Sequence, residues 1–407
     1  MLERRLLILD DDAAIGQTIM MVAESAQVST RFTPDPEEFF RLVDAWAPTH
    51  IALDLVMPTM DGVEVMVQLA QRGCAARIII TSGVGSRVLD AAGRSASEHG
   101  LDIAGVLSKP FSPSALRALL ASNAPVAARG APDIAAPERA PMPARIADVL
   151  VDDLRQALAD NAFEVHYQPK VHCGSGGLAG FEALVRWRHA ERGLVMPGHF
   201  IRVAEDSGLI DALTDRVLAL SLPWLAENFP DGGPHGGVSL SVNISARSLH
   251  DAQLADRVHA RCAAAGIAPE RLILELTETS AMEDPVASLD LLTRLRMKGF
   301  QLSIDDFGTG FSSMLQLVRL PFSEMKVDRS FVMTAGRSQE SRAVIRSIVE
   351  LGHSLGLRCT GEGVEEPEVL DFLHSVGCDL AQGFLIGRPM PGDAVPQWVS
   401  GRPSVGT

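Results

Sequence analysis

LSIDDFGTGFSS, residues Leu302 to Ser313, sets two adjacent aspartates between an apolar run and a glycine-rich turn. Leu302, Ser303 and Ile304 suit a buried strand. The Gly-Thr-Gly after Phe307 cannot prolong one, so the strand is expected to end at the aspartates. Along a regular strand Asp305 and Asp306 would face opposite ways. A chain that turns at once can aim both carboxylates at one point, and Gly308 and Gly310 supply the dihedral freedom for that turn. Two acids so placed repel each other unless a cation sits between them. Taken alone, the pair reads as a solvated polar loop; the acids elsewhere in the chain decide otherwise.

Around this stretch, from residue 146 to 400, short apolar strands alternate with helices such as Val344 to Leu355, in which Val344, Ile348, Leu351 and Leu355 are expected to share a face. The period is that of βα units, and roughly 250 residues is the length of a barrel of eight of them. Barrels place reactive groups at the carboxyl ends of strands, so inward-facing polar residues there test the reading. Period-2 alternation puts Gly180, Glu182, Leu184 and Arg186 on one face of LAGFEALVRW, and Ser239, Ser241 and Asn243 on one face of VSLSVNIS. Glu275 and Thr277 oppose Leu274 and Leu276, with Glu278 just beyond. Lys326 lies with Asp328, and Glu362 follows Thr360. Burying so many carboxylates without cations would be prohibitive. Glu182, Asn243, Glu275, Asp305 and Asp306 offer only hard oxygen, which suits magnesium or manganese rather than zinc. A carboxylate such as Asp305 can bridge two ions, the arrangement used for phosphodiester hydrolysis, and Arg186 beside Glu182 could hold a non-reacting phosphate.

With these motifs the segment resembles the EAL-domain family of cyclic di-GMP phosphodiesterases. The matching residues are Glu182-Ala183-Leu184 with Arg186, Asn243 in NIS, ELTE from Glu275, DDFGTG from Asp305, KVD from Lys326, EGVE from Glu362, QGF from Gln382, and YQPK from Tyr167 to Lys170. The resemblance covers about residues 146 to 395. It implies a TIM-like (β/α)8 barrel whose first strand is antiparallel to the others, and hydrolysis of cyclic di-GMP to linear pGpG with two Mg2+ or Mn2+ ions. It further implies that Glu182, Asn243, Glu275 and Asp305 ligate one ion. Asp305 and Asp306 would hold the second, with Glu362 directly or through water and with Asp328 of KVD alongside. Glu362 resembles the family's proposed general base, metal ligation being the alternative, and Lys326 would orient or polarise the attacking water. Gln168, Leu184, Arg186 and Gln382 would meet the substrate. Glu278 would anchor the loop from Gly308 to Ser313, a segment that in this family couples substrate and metal binding to dimerisation. Phe311 stands where the family often has tyrosine, and His189 and Ala190 replace a more usual Asn-His-Pro environment; neither change removes a ligand.

Residues 1 to 120 follow another pattern. Apolar runs at Leu6–Leu9, Ile51–Leu53, Ile78–Ile80 and Val106–Leu107 each end in polar residues, with helices such as Pro36 to Val43 and Val63 to Ala70 between them. Such alternation predicts a doubly wound parallel sheet with its site at the carboxyl ends of the strands. There Asp10 and Asp11 can hold a divalent cation, Asp54 can attack a phosphoryl donor, and Thr81 and Lys109 can bond the phosphoryl oxygens. The acid pair in ILDDD, Asp54 in LDLVMPTMDG, Thr81 in IIITSG and Lys109 in SKPF together resemble the receiver domain of two-component response regulators. The resemblance implies one Mg2+ and phosphorylation of Asp54 by a cognate sensor histidine kinase or a small acyl phosphate. Val106 occupies the position of the usual switch aromatic, so the standard readout is not expected. Ser112-Pro113 fits the start of a last helix through Leu116, Leu119 and Leu120.

Between the two, residues 121–145 are rich in Ala-Pro and read as a linker. Ile146, Leu150, Leu154 and Leu158 then mark an amphipathic helix that caps its own domain rather than an oligomer seam. No apolar run approaches the length needed to span a bilayer, and MLERRLLILDDD reads as a first strand, not a secretory leader, so a cytoplasmic protein is expected. The five cysteines are scattered and suit reduced thiols. A net charge of -15 disfavours nucleic acid and anionic membranes as partners. Lys170 and Arg188 are left open, since a basic residue near a barrel mouth can simply solvate the rim, and Met20 and Met21 read as core filling. The whole describes a response regulator whose receiver controls a phosphodiesterase and which self-associates as a homodimer or larger. The alternatives are a catalytically weak cyclic di-GMP sensor acting through protein partners, and a scaffold.

Overall fold

The computed structural model describes residues 4–58, 60–83, 86–121, 144–233, 235–283, 285–308 and 314–401, without the side chains of 86, 87, 90, 121, 144–150, 282, 283, 285, 287 and 314–316. The linker expected at 121–145 falls almost wholly outside these residues, as do Thr309 to Ser313 of the glycine-rich loop. The chain divides into two compact units.

The first unit is a five-stranded parallel sheet of β1 (Arg5–Leu9), β2 (Ser29–Thr33), β3 (His50–Asp54), β4 (Arg77–Ser82) and β5 (Ile103–Ser108), in the order β2-β1-β3-β4-β5. The middles of its interior strands are apolar because both faces are covered. Leu7, Leu9, Ile51, Leu53, Ile78 and Ile80 pack on one side with Phe39, Val63 and Met66. Leu6, Ile8, Ala52 and Ile79 pack on the other with Ile19, Val22, Leu116 and Leu120. Helices start at side-chain caps: Asp12 accepts from Ala14 and Ile15 N–H, Asp35 precedes Pro36, and Ser112 Oγ accepts from Ala115 N–H. The sequence reading missed β2, an edge strand whose Ser29, Thr30 and Arg31 break any apolar run. Met20 is partly buried as expected, but Met21 is 65% exposed and fills no core.

The second unit is a closed barrel. Its staves are β6 (Phe163–His172), β7 (Leu178–His189), β9 (Ser239–Asn243), β10 (Leu272–Thr277), β11 (Gln301–Phe307), β12 (Glu324–Val327), β13 (Arg358–Gly361) and β14 (Leu380–Gln382). The short β8 (Gly193–Val195) and β15 (Met390–Pro391) lie on β7 and β6. β6 runs antiparallel to both its neighbours, β7 and β14, and the other staves run parallel. The turn at 173–177 returns the chain directly, with Gly176 at φ 68°, where a parallel pair would need a helical crossover. Leu154 and Ala157, on the helix Ala144–Ala159, pack on Phe163, Trp187 and Phe200 and so cover this same barrel.

One expectation is corrected here. The helix read as Val344 to Leu355 is Gln339–Ser354, and its buried stripe is Ile345, Ile348, Val349 and Gly352. Val344 and Leu351 lie on the flank and Leu355 caps the end. Cysteines scattered in sequence also meet: the Cys378 thiol bonds with that of Cys173 and with the Cys359 carbonyl oxygen at 3.4 Å. All five remain free thiols. Among the described residues no helix is long and apolar enough to cross a membrane.

Candidate active site

In the first unit the polar residues converge as their strand ends dictate. Asp54 ends β3 beside Thr81 of β4 in register. Lys109 Nζ reaches Asp54 Oδ2 at 3.1 Å and Asp10 Oδ2 at 2.8 Å. Asp10, Asp11 and Asp54 each offer an oxygen within 4.8 Å of the others, and Asp12 is used as a helix cap. Burial raises the pKa of Asp54 against the pull of Lys109. Burial also works to lower that of Lys109, but its bonds to Asp10 and Asp54 outweigh it and hold the lysine above its usual range. The Thr81 hydroxyl is buried without a hydrogen bond among the described residues. An all-oxygen acid triad beside an unsatisfied hydroxyl fits a divalent cation and a phosphoryl group. Val106, where a switch aromatic was absent from the sequence, sits half-buried on β5.

In the barrel, Asp305 and Asp306 lie within β11, which runs on to Phe307, so the strand does not end at the aspartates as expected. Their convergence comes from Asp306 itself, whose φ of 55° is a left-handed conformation that aspartate adopts more readily than most residues, at a register shift between Ile304 and Phe307. Gly308 follows at φ 103°, and its N–H donates to Glu278 Oε2 at 2.9 Å, the position expected of a loop anchor. Gly310 lies outside the described residues. Asp305, Asp306 and Glu362 place oxygens within 4.8 Å of one another.

Lys326 stands at the centre. Its Nζ is 2.6 Å from Glu362, 2.8 Å from Glu275, 3.2 Å from Asp305 and 3.8 Å from Glu182. Glu182 is held by amides on both oxygens: Asn243 Nδ2 donates to Oε1 at 2.9 Å and Gln382 Nε2 to Oε2 at 2.6 Å. Gln382 also donates to Gln168 Oε1 at 3.1 Å, while its own Oε1 is buried and accepts no bond among the described residues. Arg186 is buried on the same strand as Glu182, donating to the Val185 carbonyl at 2.9 Å; Leu184 between them is half-buried. Asp328 caps the helix Arg329–Thr334 through Ser330 N–H and still bonds Asp306.

One lysine does not balance these acids. Burial, reinforced by the neighbouring carboxylates, raises Glu182 and lifts Glu362 well above the usual range despite Lys326. Burial and then Asp305 push Asp306 up to about 6. Glu275 is the exception: burial works to raise it, yet Lys326 and Lys170 hold it down at about 2. Lys326 itself is raised well above its usual range, burial being outweighed by Asp305, Glu182, Glu275 and Glu362. Hard oxygen donors with surplus negative charge fit divalent cations.

Lys170, left open by the sequence, is placed by the fold. It is not on the rim but fully buried inside the barrel, touching Ser241, Glu275 and Glu324. The signal was available: Lys170 stands two residues after Gln168, as Glu324 stands two before Lys326, so both share the inward face of their strands. Arg188 does lie at the surface, paired with Glu164.

The chain thus carries two acid clusters at the carboxyl ends of parallel strands, one on an open sheet around Lys109 and one in a barrel around Lys326. Family models for the response regulator receiver domain and the EAL domain match residues 6–121 and 151–389. The chain belongs to the EAL-domain family, here joined to a receiver. It is similar to the bifunctional diguanylate cyclase/cyclic di-GMP phosphodiesterase MucR of Pseudomonas aeruginosa, 44% identical over 60% of this chain and 35% of that protein. The cyclic di-GMP phosphodiesterase RocR of the same organism is 34% identical over 88% of each. The chain thus spans about a third of the length of the first curated relatives it matches, but most of RocR. Among solved structures, a PaMucR phosphodiesterase in complex with c-di-GMP aligns with a TM-score of 0.58 at 43% identity, over 61% of this chain and 99% of that one.

Proposed function

We propose that this chain is a response regulator that hydrolyses cyclic di-GMP to linear pGpG, under control of phosphorylation at Asp54. The observation that carries the reading is the convergence of Asp305, Asp306 and Glu362 beside Lys326, in a barrel similar to one solved with c-di-GMP. Domains at 1–120 and 146–400, joined by 121–145, accommodate both halves of the activity.

Glu182, Asn243, Glu275 and Asp305 would hold one Mg2+ or Mn2+, and Asp305, Asp306 and Asp328 the second. When bound, such ions supply Lewis acidity and an activated water. The residues do the rest. Lys326, bonded to Glu362 at 2.6 Å, orients the attacking water beside that pair, and Glu362 takes the water's proton as the new P–O bond forms and the P–O bond to the ribose oxygen breaks, that oxygen leaving as a hydroxyl. Arg186 holds the phosphate that does not react, and Gln168, Leu184 and Gln382 line the substrate. Gln382 has an acceptor to spare for this. Glu278 ties the start of the loop at Gly308 to the site.

In the receiver, Asp10 and Asp11 would hold one Mg2+, Asp54 would take phosphate from a cognate sensor histidine kinase, and Thr81 and Lys109 would bind the phosphoryl oxygens. A cytoplasmic homodimer or larger assembly, without nucleic acid or membrane as partner, completes the reading.

The test is turnover of cyclic di-GMP by the whole chain with Mg2+ or Mn2+, following linear product by chromatography, beside Glu182→Ala. Metal-dependent product that disappears in the variant supports the enzyme. Binding without product in the unaltered chain makes it a sensor, and neither makes it a scaffold.

A further inference from the structure

Branched apolar side chains dominate most such interiors; below the carboxylates of this barrel runs a column of alternating charge. Arg358 clamps Glu324 through Nε at 2.9 Å and Nη2 at 2.6 Å. Glu324 Oε1 is 3.5 Å from Lys170 Nζ and from Ser303 Oγ. Lys170 also bonds Ser241 Oγ and lies 3.4 Å from Glu275 Oε1. The other oxygen of Glu275 accepts from Lys326 at 2.8 Å. Lys170, Ser241, Glu275, Ser303, Glu324 and Lys326 are all fully buried, and only Arg358, at the start of β13, reaches solvent.

Burying an ammonium costs several kcal/mol unless its partners are fixed. Here three strands supply those partners: Ser241 from β9, Glu275 from β10 and Glu324 from β12. The two oxygens of Glu275 are thereby pinned by two different lysines approaching from opposite ends, which sets the plane of the carboxylate. Of Lys170's contacts, only Glu275 belongs to the acids around the reacting centre.

We propose that Lys170 is a positioning residue: held from below by Glu324 and Arg358, it fixes the plane in which Glu275 would ligate a divalent ion. This rests on the metal-dependent reading above. The role is one of orientation, as for partners of ligating carboxylates in metal sites generally, whose loss costs about 10–100-fold in metal affinity or activity.

The experiment is a Mn2+ titration of the full chain followed by the electron paramagnetic resonance signal of free ion, in a background carrying Asp11→Asn so that the receiver acids do not contribute. Lys170→Met is expected to weaken Mn2+ binding by about 10–100-fold at temperatures where both chains are folded, and to leave KM for cyclic di-GMP unchanged once metal is saturating. Affinity equal to or tighter than the parent overturns the proposal, because removing a nearby positive charge without losing orientation would only strengthen cation binding. Should Lys170→Met not fold, Ser241→Ala decides, since it removes only the hydroxyl seated between Lys170 and Glu275: unchanged affinity again overturns the idea. If the parent binds Mn2+ but turns over no cyclic di-GMP, the reaction proposed above fails while the titration still reads Lys170. If the parent binds no Mn2+ in its barrel, both readings fall.

Discussion

Each unit sets a lysine among acids at the carboxyl ends of parallel strands, yet the two lysines work under opposite conditions. Lys109 keeps 17% of its side chain exposed and touches two carboxylates, whereas Lys326 keeps 1% and touches four. Under the receiver site lie apolar runs such as Ile51–Leu53 and Ile78–Ile80; under the barrel site lie Lys170, Ser241, Ser303 and Glu324. A single acceptor carboxylate has only to be reachable by its donor, so packing on an apolar sheet suffices. A centre in which several side chains must meet at one point needs each carboxylate held on more than one side. Charge is therefore layered directly beneath the barrel site, whereas the receiver site rests on apolar side chains.

The largest effect expected from this contrast is at Asp54. Asp54→Asn should reduce phosphate incorporation from acetyl phosphate to background on a phosphate-affinity gel. Label that persists would move the acceptor to Asp10 or Asp11 and break the comparison, since the lone nucleophile would not be lone. In the barrel, Glu362→Gln should lower kcat by about 10²–10⁴-fold, the range for losing a general base, with cyclic di-GMP still bound. A loss below tenfold would show that Glu362 takes no proton in the reaction. The smallest effect is at Arg188, whose pair with Glu164 lies on the surface with 69% of the arginine exposed. Arg188→Ala should cost about 0.2–1 kcal/mol by thermal denaturation. A markedly larger cost would show that ion pairs outside the barrel bear as much of its stability as the buried column does.

Much of this was legible in one dimension. Alternation along β7, β9 and β10 placed Glu182, Asn243 and Glu275 on one face, and the structure brings Glu182 and Asn243 into contact. Lys326, Glu362, Asp305 and Asp306 were likewise drawn to one place. The misreadings have physical causes. β2 is polar because it lies at the sheet's edge. Lys170 could not be placed from the sequence because a lysine is rarely buried unless paired, and its partners come from strands 71 to 154 residues away. The helix stripe was drawn one residue off, because Gly352, which packs on Cys359, carries no apolar side chain to mark the face.

By itself the sequence determined the two units, the strand ends that carry acids, and the residue types that point to phosphoryl chemistry, because strand periodicity and turn residues are local properties. Only the tertiary structure decided how those acids share their counter-charges. That Asp306 makes the turn in β11, that Lys326 touches four carboxylates, and that Lys170 lies 3.4 Å from Glu275 all depend on barrel closure. Closure sets side chains from distant strands within a few ångströms in a space shielded from water, where the balance of charge belongs to the assembled interior and not to any one strand.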